Sequence, residues 1–351
     1  MASIGAYTVD VADGPWARAA VCQSLGRRSS NEDSYVLRCK GLDVAAAPSV
    51  GLKKAQASPG GGLFDDLPDT VAGPALPAAP DSNEYDCLFA VLDGHGGDAA
   101  ARLCAKLLPS ELHEQLEAAG RDTAEARRVA VEGVFLALDR HLRTKLAPGV
   151  CSMCGSTCVF GFAWQDDNSP GKFGLVVANL GDSRAIVLSG ASASASPTSQ
   201  DGVATAHLRL VGETADHKPE APGETRRIVA AGGKVATHPD DPSQRPRVDA
   251  QLGCSRALGD FVYKDDAALL PEDQRVSNKP DVYEFSCDFG DAVVLASDGV
   301  WDVLSSEHVA AIVARKLQKT DDPQSAAVAV IKAARKDPRQ EDNCSCVVFR
   351  T

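Results

Sequence analysis

No stretch of this 351-residue chain approaches the roughly 20 apolar residues that a membrane-spanning helix needs, so the sequence reads as soluble, with no membrane partner. The amino terminus, MASIGAYTVDVADG, has neither a basic start nor an apolar stretch, so no secretory leader is expected. Ala2 excludes myristoylation at that position, and the final VVFRT carries no lipid or retrieval signal. Cytoplasm is therefore the default compartment, with nuclear entry left open. Lys and Arg form only short pairs, such as Arg27–Arg28 and Arg226–Arg227, against a net charge of −12. Nucleic acid is not an expected partner, because neutralising its phosphates takes a basic stripe. A disulfide framework is missing too. The eleven cysteines are odd in number, scattered and mostly set in apolar runs (Cys87, Cys158, Cys346), the pattern of buried thiols in a reducing compartment. Cys151-Ser-Met-Cys154 has zinc or redox spacing, but no two further ligands lie nearby, so core thiols are the default reading. No internal repeat of fixed period is present.

The chain does contain ample apolar residues, 44% of the total, enough for a sizeable core. Residues 44–82 and 189–204, rich in Ala, Pro, Gly and Ser, read as irregular insertions. Elsewhere strand-like and helix-like segments alternate. Cys87–Leu92 and Ala292–Ala296 are continuous apolar runs, expected as strands buried on both faces. Lys172–Leu188 reads as two strands joined by a tight turn at Gly181–Asp182, and Ser345–Phe349 as a last strand. Asp98–Leu116 places Ala100, Leu103, Cys104, Leu107, Leu108 and Leu112 at helical spacing; Val129, Ala130, Val134, Leu138 and Leu142 repeat the pattern. Ser305–Lys319 and Asp322–Lys336 are two more expected helices. Strand hairpins separated by helix pairs point to an α+β fold with antiparallel sheets flanked by helices.

The acids fall at strand ends. Asp93 follows CLFAVL, Asp298 follows AVVLAS, and Asp182 sits in the turn between two strands. Glu32–Asp33 precedes SYVLRC, and Asp342 precedes NCSCVVF. If neighbouring strands run antiparallel, these ends share one rim, and the acids converge there. Any one of them alone could be a cap or turn residue. Together they would repel one another unless cations were bound, and an all-oxygen donor set favours Mg²⁺ or Mn²⁺ over zinc. Two such ions sharing a carboxylate can activate water for in-line attack on phosphorus. His95, two residues past Asp93, could protonate a leaving alkoxide, and the Arg28 fork could hold phosphate oxygens.

With these residues assembled, the chain resembles the metal-dependent protein serine/threonine phosphatase family, type 2C. The segments that carry the resemblance are Gly26-Arg-Arg-Ser-Ser-Asn-Glu-Asp33, Phe89-Ala-Val-Leu-Asp-Gly-His-Gly-Gly97, Cys154-Gly-Ser-Thr157 and Ala178-Asn-Leu-Gly-Asp-Ser-Arg184. They continue in order with Asp216-His-Lys-Pro219, Glu224-Thr-Arg-Arg-Ile228, Ser255-Arg-Ala-Leu-Gly-Asp260, Ala296-Ser-Asp-Gly-Val-Trp-Asp302 and Asp342-Asn343. The resemblance implies a central antiparallel β-sandwich flanked by pairs of helices (αββα layers), with a binuclear metal site at one end of the sheets. It implies that Asp93 bridges two Mn²⁺ or Mg²⁺ ions, with the Gly94 carbonyl on one and Asp298 and Asp342 on the other. Glu32 and Asp33 would act largely through water, while Asp182 and Asp302 would hold a third, weaker ion. Arg28 would grip phosphate and His95 would be the general acid, acting on phosphorylated protein substrates. The expected domain spans 15–351, with a flap at about 216–259, and is expected to work as a monomer.

Strand direction carries a further expectation. The strand after Asp33 leaves the rim and the strand ending at Asp93 returns to it, so the 44–82 insertion should lie at the far end. The same holds for 189–204. Leu63-Phe-Asp-Asp-Leu67 within the first insertion reads as a short docking motif or as ordinary surface packing. Two alternatives to a protein phosphatase stay open. One is a binding protein that has kept the fold but lost catalysis, disfavoured because every matched acid is present. The other is a phosphatase of small molecules with the same chemistry.

Overall fold

The computed structural model describes residues 7–14, 16–39, 85–146, 152–166, 168–190, 208–239 and 245–351. The strands in the first half are β1 (Tyr7–Asp13), β2 (Arg18–Ser24), β3 (Ser34–Cys39), β4 (Cys87–Leu92), β5 (Gly94–His95), β6 (Gly155–Ser156), β7 (Cys158–Gln165) and β8 (Lys172–Leu180). The second half adds β9 (Arg184–Ser189), β10 (Arg209–Glu213), β11 (Val235–Ala236), β12 (Arg247–Val248), β13 (Leu258–Gly259), β14 (Asp281–Asp288), β15 (Ala292–Ala296) and β16 (Cys344–Arg350). The helices are α1 (Ala99–Ala119), α2 (Ala124–Lys145), α3 (Pro222–Ala230), α4 (Asp298–Trp301), α5 (Ser306–Thr320) and α6 (Pro323–Ala334).

Two antiparallel sheets carry the fold, one ordered β1-β2-β16-β15-β9-β10 and the other β14-β8-β7-β4-β3. Phe89, Val91, Val159, Leu175, Val293 and Phe349 interdigitate between them. The outer face of the five-stranded sheet packs on α1 and α2 through Leu88, Leu92, Phe160, Leu108 and Phe135. The outer face of the six-stranded sheet packs on α5 and α6 through Ile186, Val294, Val348, Val309 and Val330. This is the expected αββα sandwich, and its central strands are apolar throughout because both of their faces are covered. The helices start where side chains satisfy their free N–H groups. Thr123 Oγ1 accepts from Ala126 N, Ser305 Oγ from His308 N, and Asp322 from Gln324 N and Ser325 N.

Strand register sets the position of the acids. Ser34 pairs with Leu92 at one end of β3–β4, and Cys39 with Cys87 at the other. Ala296 pairs with both Cys346 and Arg184, which puts the outgoing end of β15 beside the incoming ends of β16 and β9. Residues 181–183 then cross from β8 in one sheet to β9 in the other, joining the two rims. This corrects the hairpin expected over Lys172–Leu188. Both edges of β8 are taken by β7 and β14, and both edges of β9 by β15 and β10, so the turn links sheets rather than partners. Gly181 makes the crossing with φ +107, against Thr157.

A second correction concerns Val129, expected on the buried face of its helix but 48% exposed. Ala130, Val134, Leu138 and Leu142 follow one another at four-residue steps, and Val131 and Phe135 flank that stripe, so Val129 falls outside it. The expected 44–82 insertion, with Leu63–Leu67, lies outside the described residues, as does the body of 189–204. Their attachment points are described. Cys39 and Cys87 stand at the strand ends away from Asp33 and Asp93, and Ser189 pairs with Arg209 at the corresponding end of β9. Strand β1, ahead of the domain start expected at 15, pairs with β2 along its whole length.

Candidate active site

The acids at the shared rim sense one another. Asp93 is held well above the usual carboxylate range, first by burial and then by the charges of Asp298, Asp33, Asp182 and Asp342. Burial, with Asp182 and Asp302, pushes Asp298 up to about 8. Asp33 is pushed up to about 6 by burial, against the stabilising hydroxyls of Ser345 and Ser297. These hydroxyls donate to Asp33 Oδ2 at 2.6 Å and 3.1 Å, while Oδ1 is sealed from solvent with no hydrogen-bond partner among the described residues.

Local structure holds each acid in place. Thr157 N donates to the Asp93 carbonyl at 2.9 Å and Thr157 Oγ1 accepts from Asp93 N at 3.3 Å, fixing the chain as it leaves β4. Gly94 lies so close to the preceding loop that a methyl there would stand 2.5 Å from the Glu32 carbonyl oxygen. Gly97 N donates to Glu32 Oε2 at 3.3 Å, and Glu32 N to Asn343 Oδ1 at 2.9 Å. Asn343 Nδ2 also donates to the Leu25 and Ser30 carbonyls, tying the loop before β3 to the one before β16. Asp298 opens α4 and Asp302 closes it.

Three basic side chains border the acids. Arg28, more than half exposed, donates to Asp342 Oδ2 at 2.6 Å, so a residue expected on phosphate and one expected on metal are paired with each other. Lys218 Nζ, on a half-buried side chain, donates to Asp182 Oδ2 at 2.6 Å. Burial works against its charge, but Asp182 and Asp298 outweigh that and raise its pKa. His95 Nε2 lies 2.6 Å from Asp260 Oδ2. Burial disfavours the imidazolium, yet Asp260, Asp182 and Glu32 raise the His95 pKa above its ordinary value.

Among the described residues, no three His, Cys, Asp or Glu side chains stand close enough to grip one ion between them. The residues nevertheless fit a hard cation held partly through water. Every acid at the rim presents oxygen, Asp33 Oδ1 lacks a partner, and burial beside like charges leaves Asp93 short of positive charge. Mg²⁺ retains several waters and takes only one or two carboxylates, so spacing too wide for three direct ligands suits it. Glu32, Asp33, Asp93, the Gly94 carbonyl, Asp182, Asp298, Asp302 and Asp342 are the candidates.

The sandwich itself is shared with solved phosphatases. A phosphatase from a pathogenic strain of Toxoplasma gondii superposes with a TM-score of 0.68 at 23% identity, covering 98% of this chain and 95% of that one. A serine-threonine phosphatase 2C from Toxoplasma gondii superposes at 0.62 and 19% identity, covering 99% of each chain. At those identities the likeness is one of fold. The model of the family described as "Protein phosphatase 2C" matches residues 59–343, and the chain belongs to that family. The match begins after Arg28, Glu32 and Asp33. A human probable protein phosphatase 1N is 40% identical over 234 residues, which is 66% of this chain and 46% of that protein. A rice probable protein phosphatase 2C 42 is 31% identical over 289 residues, covering 75% of each. The chain spans about half the length of the phosphatase 1N relatives it matches.

Sequence reasoning overlooked Asp260, Lys218, Ser297, Ser345 and Asn343. Asp260 and Lys218 both lie inside segments that carry the family resemblance, and that was the available signal. Ser297 and Asn343 each adjoin a rim acid and Ser345 stands three residues past Asp342, positions that point to a supporting role.

Proposed function

We propose that this chain hydrolyses phosphoserine and phosphothreonine on proteins, using Mn²⁺ or Mg²⁺. The observation that carries the proposal is the meeting of acids from five chain segments at one end of the sandwich, where burial and mutual repulsion call for cations. When bound, the ions would supply an activated water and offset charge on the phosphoryl oxygens. Asp93 and the Gly94 carbonyl, with Asp298 and Asp342, hold them. Glu32 and Asp33 act through water, and Asp182 and Asp302 hold a weaker third ion. Arg28, exposed beside Asp342, holds the phosphate through its planar fork. His95 donates a proton to the leaving serine or threonine oxygen. One catalytic domain, expected over 15–351 and extended by strand β1 at the sheet edge, acts as a monomer in the cytoplasm.

The test is purified protein assayed on phosphoserine, phosphothreonine and phosphotyrosine peptides, before and after chelation. Activity on the first two, lost with chelator and regained with Mn²⁺, is expected. Turnover that survives thorough chelation would overturn the proposal.

A further inference from the structure

His95 is backed by an acid that the proposed mechanism leaves unused. Asp260 is only 1% exposed, and His95 Nε2, at 2.6 Å, is the sole hydrogen-bond partner of its carboxylate among the described residues. The other ring nitrogen, Nδ1, has no hydrogen-bond partner among the described residues and is not sealed off.

The surrounding chain is shaped to produce this contact. Gly259 and Asp260 adopt positive φ in succession, +78 and +53, and the second is uncommon for a residue with a side chain. Asp139, buried on α2, accepts from Gly259 N at 2.7 Å, and Asp260 N donates to the Cys154 carbonyl at 3.1 Å. The second oxygen of Asp139 accepts from Lys264 Nζ at 2.7 Å and Asn278 Nδ2 at 2.9 Å; Lys264 also donates to the Ala257 carbonyl. A fully partnered buried charge thus braces the turn that carries Asp260. Opposite, β6 contributes Gly155, where a Cβ would collide with both Asp260 Oδ2 and His95 Nε2.

From this geometry we infer that Asp260 is the positioning residue for His95. It keeps a proton on Nε2 and turns Nδ1 toward the leaving oxygen. Nδ1–H gives its proton to the departing alkoxide, and the neutral ring keeps its remaining proton on Nε2, bonded to Asp260. The inference rests on His95 as the proton donor.

Two measurements separate the claims. In ¹⁵N-histidine NMR, the neutral His95 ring should be the Nε2–H tautomer, and Asp260→Ala should mix the tautomers in protein that melts cooperatively; Asp260→Asn, nearly isosteric, serves if the Ala variant does not fold. In kinetics, Asp260→Ala should lower kcat on a phosphoserine peptide roughly ten- to a hundredfold with KM little changed. It should slow p-nitrophenyl phosphate far less, and add nothing in a His95→Ala background. Unchanged tautomer with equal slowing of both substrates, or effects additive with His95→Ala, would overturn the inference alone. Equal slowing of both substrates by His95→Ala would overturn the proton-donor reading and the inference with it.

Discussion

Removing the charge of Glu224 should weaken the fold by a pH-dependent amount. This carboxylate, on α3 of the expected flap, accepts from Arg227 Nη2 at 2.6 Å, Ser255 Oγ at 2.7 Å and Arg256 Nη2 at 2.8 Å. Arg256 in turn donates to Asp281 at the start of β14, so the cluster ties the flap to the sandwich. Burial opposes ionisation of Glu224, but Arg256 and Arg227 more than offset it and hold the group at about 2, against an ordinary value of 4.5. That depression corresponds to roughly 3 kcal/mol of stability, in line with the 3–5 kcal/mol lost when one partner of a buried ion pair is removed. Because the folded pKa is the lower one, the contribution is complete above the unfolded pKa and is lost as pH falls toward about 2. Glu224→Gln should therefore cost roughly 3 kcal/mol in urea denaturation of the metal-free protein near pH 7, and the gap should shrink by about 1 kcal/mol near pH 3.5. A gap below about 1 kcal/mol at pH 7, or one unchanged by acidification, would refute the reasoning.

Other outcomes follow from close packing and burial. The ten described cysteines are all free and buried, and burial pushes Cys22 and Cys287 up to about 12. Peptide mapping after iodoacetamide treatment near neutral pH should find all ten unmodified in native protein and modified in urea. Gly26→Ala should lower stability by roughly 1–3 kcal/mol in thermal melts, because φ there is +67 and the added methyl meets the Asp342 backbone. Gly94→Ala should push the loop carrying Glu32 and Asp33 away from β5 and weaken Mn²⁺ binding in calorimetry; unaltered affinity would argue against that loop's part in the site.

Much of the fold could be read from apolar runs, because strands covered on both faces leave no polar alternation. The convergence of Asp33, Asp93, Asp182, Asp298 and Asp342 was legible for a related reason: each sits at the end of such a run, and antiparallel pairing brings those ends together. What escaped depends on contacts between distant segments. Periodicity shows that β8 and β9 are strands but not that they belong to different sheets, since that is decided by which edges other strands occupy. Nothing local marks Asp139 as the brace of a turn 120 residues away, or Asp260 as the partner of a histidine 165 residues earlier. The pairing of Arg28 with Asp342 likewise spans 314 residues.

The most direct test of the account is isothermal titration of chelator-stripped protein with Mn²⁺, alongside Asp93→Asn. The account predicts at least two ions per chain for the native sequence and a marked loss of binding in a variant that still melts cooperatively. No binding to the native protein, or equal binding to both, would contradict it.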